Sequence, residues 1–220
     1  MTRKSLGYAS ILLVAAMMLI ALAVGCSIPA DIRLPIHWNL SGEADNFASK
    51  WPALFMPAGI AAAVSLLFFF LPALEPRREG LERSQGLYLW GWAAVLILCA
   101  AIDFVIVALA LHWPVPVNQV ILGAVGLMLV LIGNQLGKSR SMYLIGLRTP
   151  WTLASEEVWI KTHRLGGKLM VGGGLLMMAL AFLPLPSGIY ATALIGIVVV
   201  AALVPILYSY VLWRRENKTA

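Results

Sequence analysis

Residues 87–112 read LYLWGWAAVLILCAAIDFVIVALALH, and Asp103 is the single charged side chain in the run. A helix rises 1.5 Å per residue, so about 20 apolar residues cross the ~30 Å hydrocarbon layer of a bilayer. This run is long enough to do so, and it has no polar stripe that would mark a surface helix of a soluble domain. Five more apolar runs flank it, at about 7–25, 53–74, 118–136, 167–184 and 188–212. Together they predict an all-α, polytopic integral membrane protein with six spans. The spans and their connections use up the 220 residues, which leaves no room for a separate soluble domain.

Composition agrees. Apolar residues make up 61% of the chain and charged residues 12%, with a mean hydropathy of +0.88; soluble domains have about a quarter charged residues. The net charge of +6 does not indicate direct nucleic-acid binding, because the bases cluster at span ends rather than among aromatics on a polar face. Cys26 and Cys99 are far apart and form no CxxC, so neither a disulfide framework nor a zinc knuckle is expected. Arg3 and Lys4 before an apolar stretch resemble a signal peptide, and Ala23–Cys26 is a loose lipoprotein-type box. The stretch is too long for a signal core and the box lacks the usual Leu, so an uncleaved first span is expected. Trp51, Trp90, Trp92, Trp113, Tyr208, Tyr210 and Trp213 fall near span ends, where headgroups favour amphipathic rings.

Orientation follows from the bases. Arg3, Lys4, Arg77, Arg78, Arg83, Lys138, Arg140, Arg148, Lys161, Arg164, Lys168, Arg214, Arg215 and Lys218 lie on one side, and only Arg33 and Lys50 on the other. The positive-inside rule then places both termini in the cytoplasm.

Two connections are more than turns. In the inner one, about 137–166, Pro150 disfavours helix at Thr149, so Arg148-Thr149-Pro150-Trp151 is expected to be extended or turning. Ser155 suits an N-cap, Glu156 and Glu157 suit a first helical turn, and Lys161, His163 and Arg164 suit the far end. Glu157 and Lys161 form an i, i+4 pair in the better orientation. A short amphipathic helix is therefore expected at the cytoplasmic interface, with Val158, Thr162 and Leu165 on one face and Trp159 close to it. Gly166-Gly167 would stop it or let it bend into the fifth span. Either a lipid-facing anchor or a docking and gating surface accounts for this pattern. The outer connection, about 26–52, holds Pro35, His37, Trp38, Asn39, Ser41, Gly42, Glu43, Asp45 and Lys50. Asn39, Ser41-Gly42 and Asp45-Asn46 are expected to form turns, with Asp45 capping backbone amides.

The run from Gly146 to Gly166, with Gly133-Asn134, resembles the signature of the SdpI family of bacterial immunity membrane proteins. The stretch from Leu34 through Lys50 resembles a domain of unknown function that accompanies it. The resemblance implies residues 1–75 as that domain, with the first two spans and the outer loop. It implies residues 87–213 as a four-helix SdpI-like region, the two parts forming one compact unit in the bacterial plasma membrane. It also implies immunity to a secreted peptide toxin, met on the outer face, and a receptor role that holds a cytoplasmic repressor at the inner face. The partner and gating candidates are then Arg148, Thr149, Pro150, Trp151, Thr152, Glu156, Glu157, Trp159, Lys161, His163 and Arg164. The outer-loop candidates are Pro35, His37, Trp38, Asn39, Gly42, Asp45 and Lys50.

Other polar residues are weighed on their own chemistry. Asp103 sits inside a span, where a carboxylate costs roughly 3 kcal/mol on insertion scales, so it should face the bundle interior. Asn134 and Gln135 are candidate partners, and a polar path through Asp103 and Asn134 would suit a small transporter, the alternative reading. No inverted repeat supports that alternative. His37, Glu43, Asp45 and His112 share a side, but their spacing is not a recognised zinc pattern. Gly172-Gly173-Gly174 and the Gly133/Gly137 pair read as close helix packing rather than a phosphate loop. No nucleophile–base motif is present, and no catalytic activity, cofactor or metal is expected. Membrane lipid is the remaining expected partner.

Overall fold

In the computed structural model, described for residues 1–39 and 43–219, six helices are long and apolar enough to cross a membrane. They are α1 (Arg3–Ser27), α2 (Lys50–Leu74), α4 (Gln85–Ala110), α5 (Val117–Leu136), α7 (Glu156–Ala181) and α8 (Ser187–Thr219). Two short helices, α3 (Arg78–Arg83) and α6 (Pro150–Ala154), sit in connections. The surface bears large apolar side chains such as Ile11, Leu12, Leu19, Leu66, Leu203 and Leu207, each more than half exposed. A soluble monomer rarely exposes so much contiguous apolar area; for a protein in lipid it is the solvent-facing surface.

The helices pack in two groups joined through α4 and α5. In the first, Met17, Ala58, Ala61, Leu87, Leu96 and Trp92 form a common core between α1, α2 and α4. Trp92 is not an interfacial ring as its position suggested. It is fully buried, and its Nε1–H donates to Ser65 Oγ at 3.2 Å. In the second group α5 lies directly on α7. A Cβ on Gly126 would come within 2.7 Å of Gly174 O, and one on Gly174 within 2.4 Å of Gly126 O. One turn pair further along, Gly133 and Gly167 relate in the same way, at 2.9 and 2.6 Å. Small residues let two helix backbones approach in lipid, where no hydrophobic effect drives them together. Gly133 and Gly137, expected to mark close helix packing, both lie on this seam: a Cβ on Gly167 would also come within 3.2 Å of Gly137 N.

Three expectations are corrected. The anticipated short amphipathic helix and the fifth span are one continuous helix, α7. Gly166 and Gly167 do not stop it, and both are buried in packing contacts. Its buried face is Val158, Trp159, Thr162, His163 and Gly166, which packs inside the protein rather than lying on lipid. The lead-in is as expected: Thr149 is extended (φ −100°, ψ 160°) and caps α6, a single helical turn with Pro150 at its first position.

The third correction concerns the connection between α1 and α2. It is an antiparallel hairpin, β1 (Arg33–Trp38) with β2 (Ala44–Ser49), with register irregularities flanking His37. Asp45 lies in β2 and meets His37 Nδ1 at 2.6 Å, instead of capping amides in a turn. Asn39 does make a local bond, accepting the Glu43 N–H at 3.0 Å. Ser41 and Gly42 lie outside the described residues. Leu34, 2% exposed, plugs the hairpin into a cluster with Val24, Ala53, Leu54, Ile106 and Ala110.

Candidate functional site

The signature segment sits at the end of the molecule opposite the hairpin, and α2 supplies the group that organises it. Pro72 lies in the last turn of α2, and the next residue past the helix is Glu75, 2% exposed. Its carboxylate accepts the backbone N–H groups of Arg77 (2.9 Å), Tyr143 (3.0 Å to the nearer oxygen) and Leu144 (2.8 Å). Residues 138–149 contain no regular element, so their amides need partners from elsewhere. Glu75 provides them for two consecutive residues. Arg77 adds a second clamp. Its guanidinium donates to Ser141 Oγ and to Tyr143 Oη (3.2 Å), and it lies 4.5 Å from the Tyr143 ring centroid. Ser84 Oγ accepts the Arg140 N–H at 2.8 Å, and a Cβ on Gly80 would strike Ser141 O at 2.2 Å.

From the other side the segment is held by α7. Gly146 has φ +115°, and a Cβ there would lie 2.7 Å from His163 Nε2. The turn at Gly146 aims the Leu147 N–H at His163 Nε2 (2.9 Å), while His163 Nδ1 contacts Trp159 O at 2.8 Å. With one ring nitrogen accepting from an amide and the other facing a carbonyl, the pattern defines the neutral Nδ1–H imidazole. Its ring stacks on Trp159 (centroids 3.9 Å apart, planes at 18°), and Trp159 Nε1–H donates to Ser139 Oγ at 3.1 Å. Thr152, fully buried, donates to Leu147 O at 2.8 Å and accepts the Thr149 N–H at 2.9 Å. Thr149 Oγ1 reaches Ser209 Oγ of α8 at 3.2 Å, and the Trp151 ring lies 5.1 Å from Tyr210. Ser155 caps α7, accepting the Val158 N–H, as expected.

The inner-segment candidates therefore divide by chemistry. Thr149, Thr152, Trp159 and His163 are internal struts that brace one loop and tie it to α7 and α8. Arg148, Pro150, Glu156, Glu157, Lys161 and Arg164 are exposed, and Trp151 is half-buried. Arg148 donates to Tyr143 O at 2.7 Å, Glu156 accepts the Ser141 N–H at 3.2 Å, and Glu157 pairs with Lys161. Sequence reasoning missed Glu75, Arg77, Ser84, Ser139 and Ser209. An acid directly after an apolar span, on the side richest in bases, was the available signal for Glu75.

The hairpin end has its own polar groups. Lys50, 8% exposed, is not a surface contact residue: its Nζ donates to Gly25 O (2.7 Å) and Ile28 O (3.1 Å), closing the carbonyl end of α1. Pro35 and Trp38 are half-buried, His37 and Asp45 are exposed, and Gly42 lies outside the described residues. Among the described residues no three His, Cys, Asp or Glu side chains assemble a metal site. Asp103 is buried in α4 with Oδ1 lacking a hydrogen-bond partner among the described residues, whereas Asn134 is exposed on α5. The two do not pair.

Comparison with known proteins places these features in a family context. Residues 138–209 match the SdpI/YfhL protein family, and residues 12–62 match a domain of unknown function (DUF1648). The chain is 26% identical over 186 residues to a protein named Immunity protein SdpI from Bacillus subtilis (strain 168), covering 84% of this chain and 86% of the relative. No solved structure matches. Six spans together with this likeness make the chain a multi-pass protein of the bacterial plasma membrane.

Proposed function

We propose that this SdpI-related membrane protein protects the cell that carries it from a secreted, membrane-active peptide toxin. The observation that carries the reading is the alignment with an immunity protein across both matched regions, over most of both chains. Both termini and the signature segment lie in the cytoplasm, and the hairpin faces outward, because fourteen of sixteen bases sit at one end.

The packing favours a receptor role as well. One loop, residues 138–149, is bonded to α2 by Glu75, to α7 by His163 and, through Thr149, to α8. A change in how those spans pack therefore alters the loop and the charged rim beside it. Signal passage requires two packings whose balance the toxin shifts. The rim, with Arg148, Glu156, Glu157, Lys161 and Arg164, is the surface a cytoplasmic repressor would use.

The test is survival of a sensitive strain expressing the chain, challenged with a panel of secreted membrane-active peptides. Survival against at least one peptide, lost in Glu75→Ala at equal membrane levels, is expected. Growth inhibition matching the empty vector for every peptide would sink the reading. The transporter alternative draws on the unpartnered Asp103 carboxyl; solute flux in proteoliposomes that vanishes in Asp103→Asn would favour it.

A further inference from the structure

A cleft of about 300 Å³ opens at the hairpin end, between the two helix groups. Strand β1 forms one wall with Ile36 to Asn39, α4 contributes Ile102, and the first turns of α5 and α8 close the remaining sides. Ile102, Ile121, Leu122 and Leu194 make its depth apolar, while His37 and Asn118 are among the polar residues lining it. The volume is at the small end of the range for ligand-binding pockets, about 300–1,000 Å³. It accommodates one or two large apolar side chains and excludes a whole helix.

The charges on the hairpin connection, which supplies one wall of the cleft, differ in sign from the rest of the molecule. The chain carries +6 overall. On the hairpin connection, however, Asp31, Glu43 and Asp45 are exposed, and Arg33 is the only exposed base among the described residues there. Arg33 is bonded to Phe47 O, and Lys50 is sequestered under the carbonyls of α1. An apolar pocket beside a net acidic surface complements a cationic amphipathic peptide, and it repels anionic lipid headgroups.

We infer that this cleft seats apolar side chains of a cationic amphipathic peptide whose Lys and Arg residues lie over Glu43 and Asp45, the two acids bonded to the lining residues Asn39 and His37. That the natural peptide is a secreted toxin rests on the immunity reading; the pocket and its charge do not.

The probe is a synthetic helical Leu/Lys peptide with a benzophenone on its apolar face, added to the full chain in phosphatidylethanolamine–phosphatidylglycerol nanodiscs. Crosslinks should concentrate on Ile121, Leu122 and Leu194. Ala191→Trp, which fills the cleft, should weaken binding about tenfold, the effect of losing one well-seated anchor. Leu203→Trp on the lipid face of α8 should change nothing, and both variants should elute as wild type. Replacing Glu43 and Asp45 by their amides should weaken binding and flatten its salt dependence. Crosslinks spread evenly over α8, or unchanged binding by Ala191→Trp, would overturn the site. So would quenching of Trp38 by brominated acyl chains that added peptide fails to relieve, since lipid would then be the occupant. If crosslinking holds while wild-type cells survive no toxin in the panel, the immunity reading falls and the peptide site stands. If protection persists in Ala191→Trp cells, the cleft is excluded from toxin recognition and immunity stands.

Discussion

At the scale of single residues, the signature segment depends on two positions that contribute no charge to a surface. Glu75 is buried and satisfies three backbone N–H groups, two of them in a loop with no ladder of its own. Glu75→Ala leaves those donors unmet, and each unmet buried group costs about 1–3 kcal/mol. The purified variant should therefore melt well below wild type when followed by tryptophan fluorescence in detergent. Glu75→Gln keeps one acceptor oxygen and should fall between the two. Melting of Glu75→Ala at the wild-type temperature would show that the clamp contributes nothing. Gly146 is the second position. Its φ of +115° disfavours any L side chain, and a Cβ would also press on His163 Nε2 and the Trp159 ring. Gly146→Ala should cost roughly 1–3 kcal/mol of stability from backbone strain alone. Removing the ring it strikes, by adding His163→Ala, should make the double variant less unstable than the sum of the singles. Strict additivity in the two melting curves would contradict the contact.

At the scale of elements, the α5–α7 seam is where one methyl group decides packing. Gly126 and Gly174 face each other with no room for a Cβ on either side, whereas a Cβ on Gly172 meets nothing within 4 Å. Gly174→Leu should wedge the helices apart and abolish the monodisperse species in size-exclusion chromatography. Gly172→Ala should be neutral or stabilising by up to about 1 kcal/mol, the gap in helix propensity. Equal behaviour of the two variants would refute the seam. The sequence made the glycines of these spans legible as packing residues, but not which of the three in Gly172–Gly174 mattered. That depends on rotation about the helix axis: Gly174 meets α5, Gly173 meets Ile197 of α8, and Gly172 is open. The same limit explains the misread start of α7. Gly166-Gly167 reads as a break locally, and only a facing Gly133 backbone turns it into a contact. The hairpin was missed for a related reason. Neither RLPIHW nor ADNFAS alternates cleanly between apolar and polar residues, and its anchor is one residue, Leu34, set against helices distant in sequence.

At the scale of the whole molecule, six spans were legible because length and apolarity are local properties, and hydrocarbon imposes them on each segment separately. The signature segment was legible as a unit, and its N-cap and its Glu157–Lys161 pair followed from spacing alone. Its partners Glu75, Arg77 and Ser209 were not, since each arrives from a different span end. The remaining whole-molecule property is orientation, which no contact inside the protein determines. It is set during insertion by the cost of translocating bases, so the count at each end is the physical argument. Fourteen Lys and Arg lie at the end bearing the signature segment, against Arg33 and Lys50 at the hairpin end. In a Cys26→Ser background, Cys99 is buried and gives no competing label. Asp31→Cys and Glu157→Cys each then place one thiol at an exposed position, at opposite ends. A membrane-impermeant maleimide added to intact cells should label Asp31→Cys, and should reach Glu157→Cys only after permeabilisation. The reverse pattern would put the signature segment outside the cell, and with it every cytoplasmic partner would be excluded.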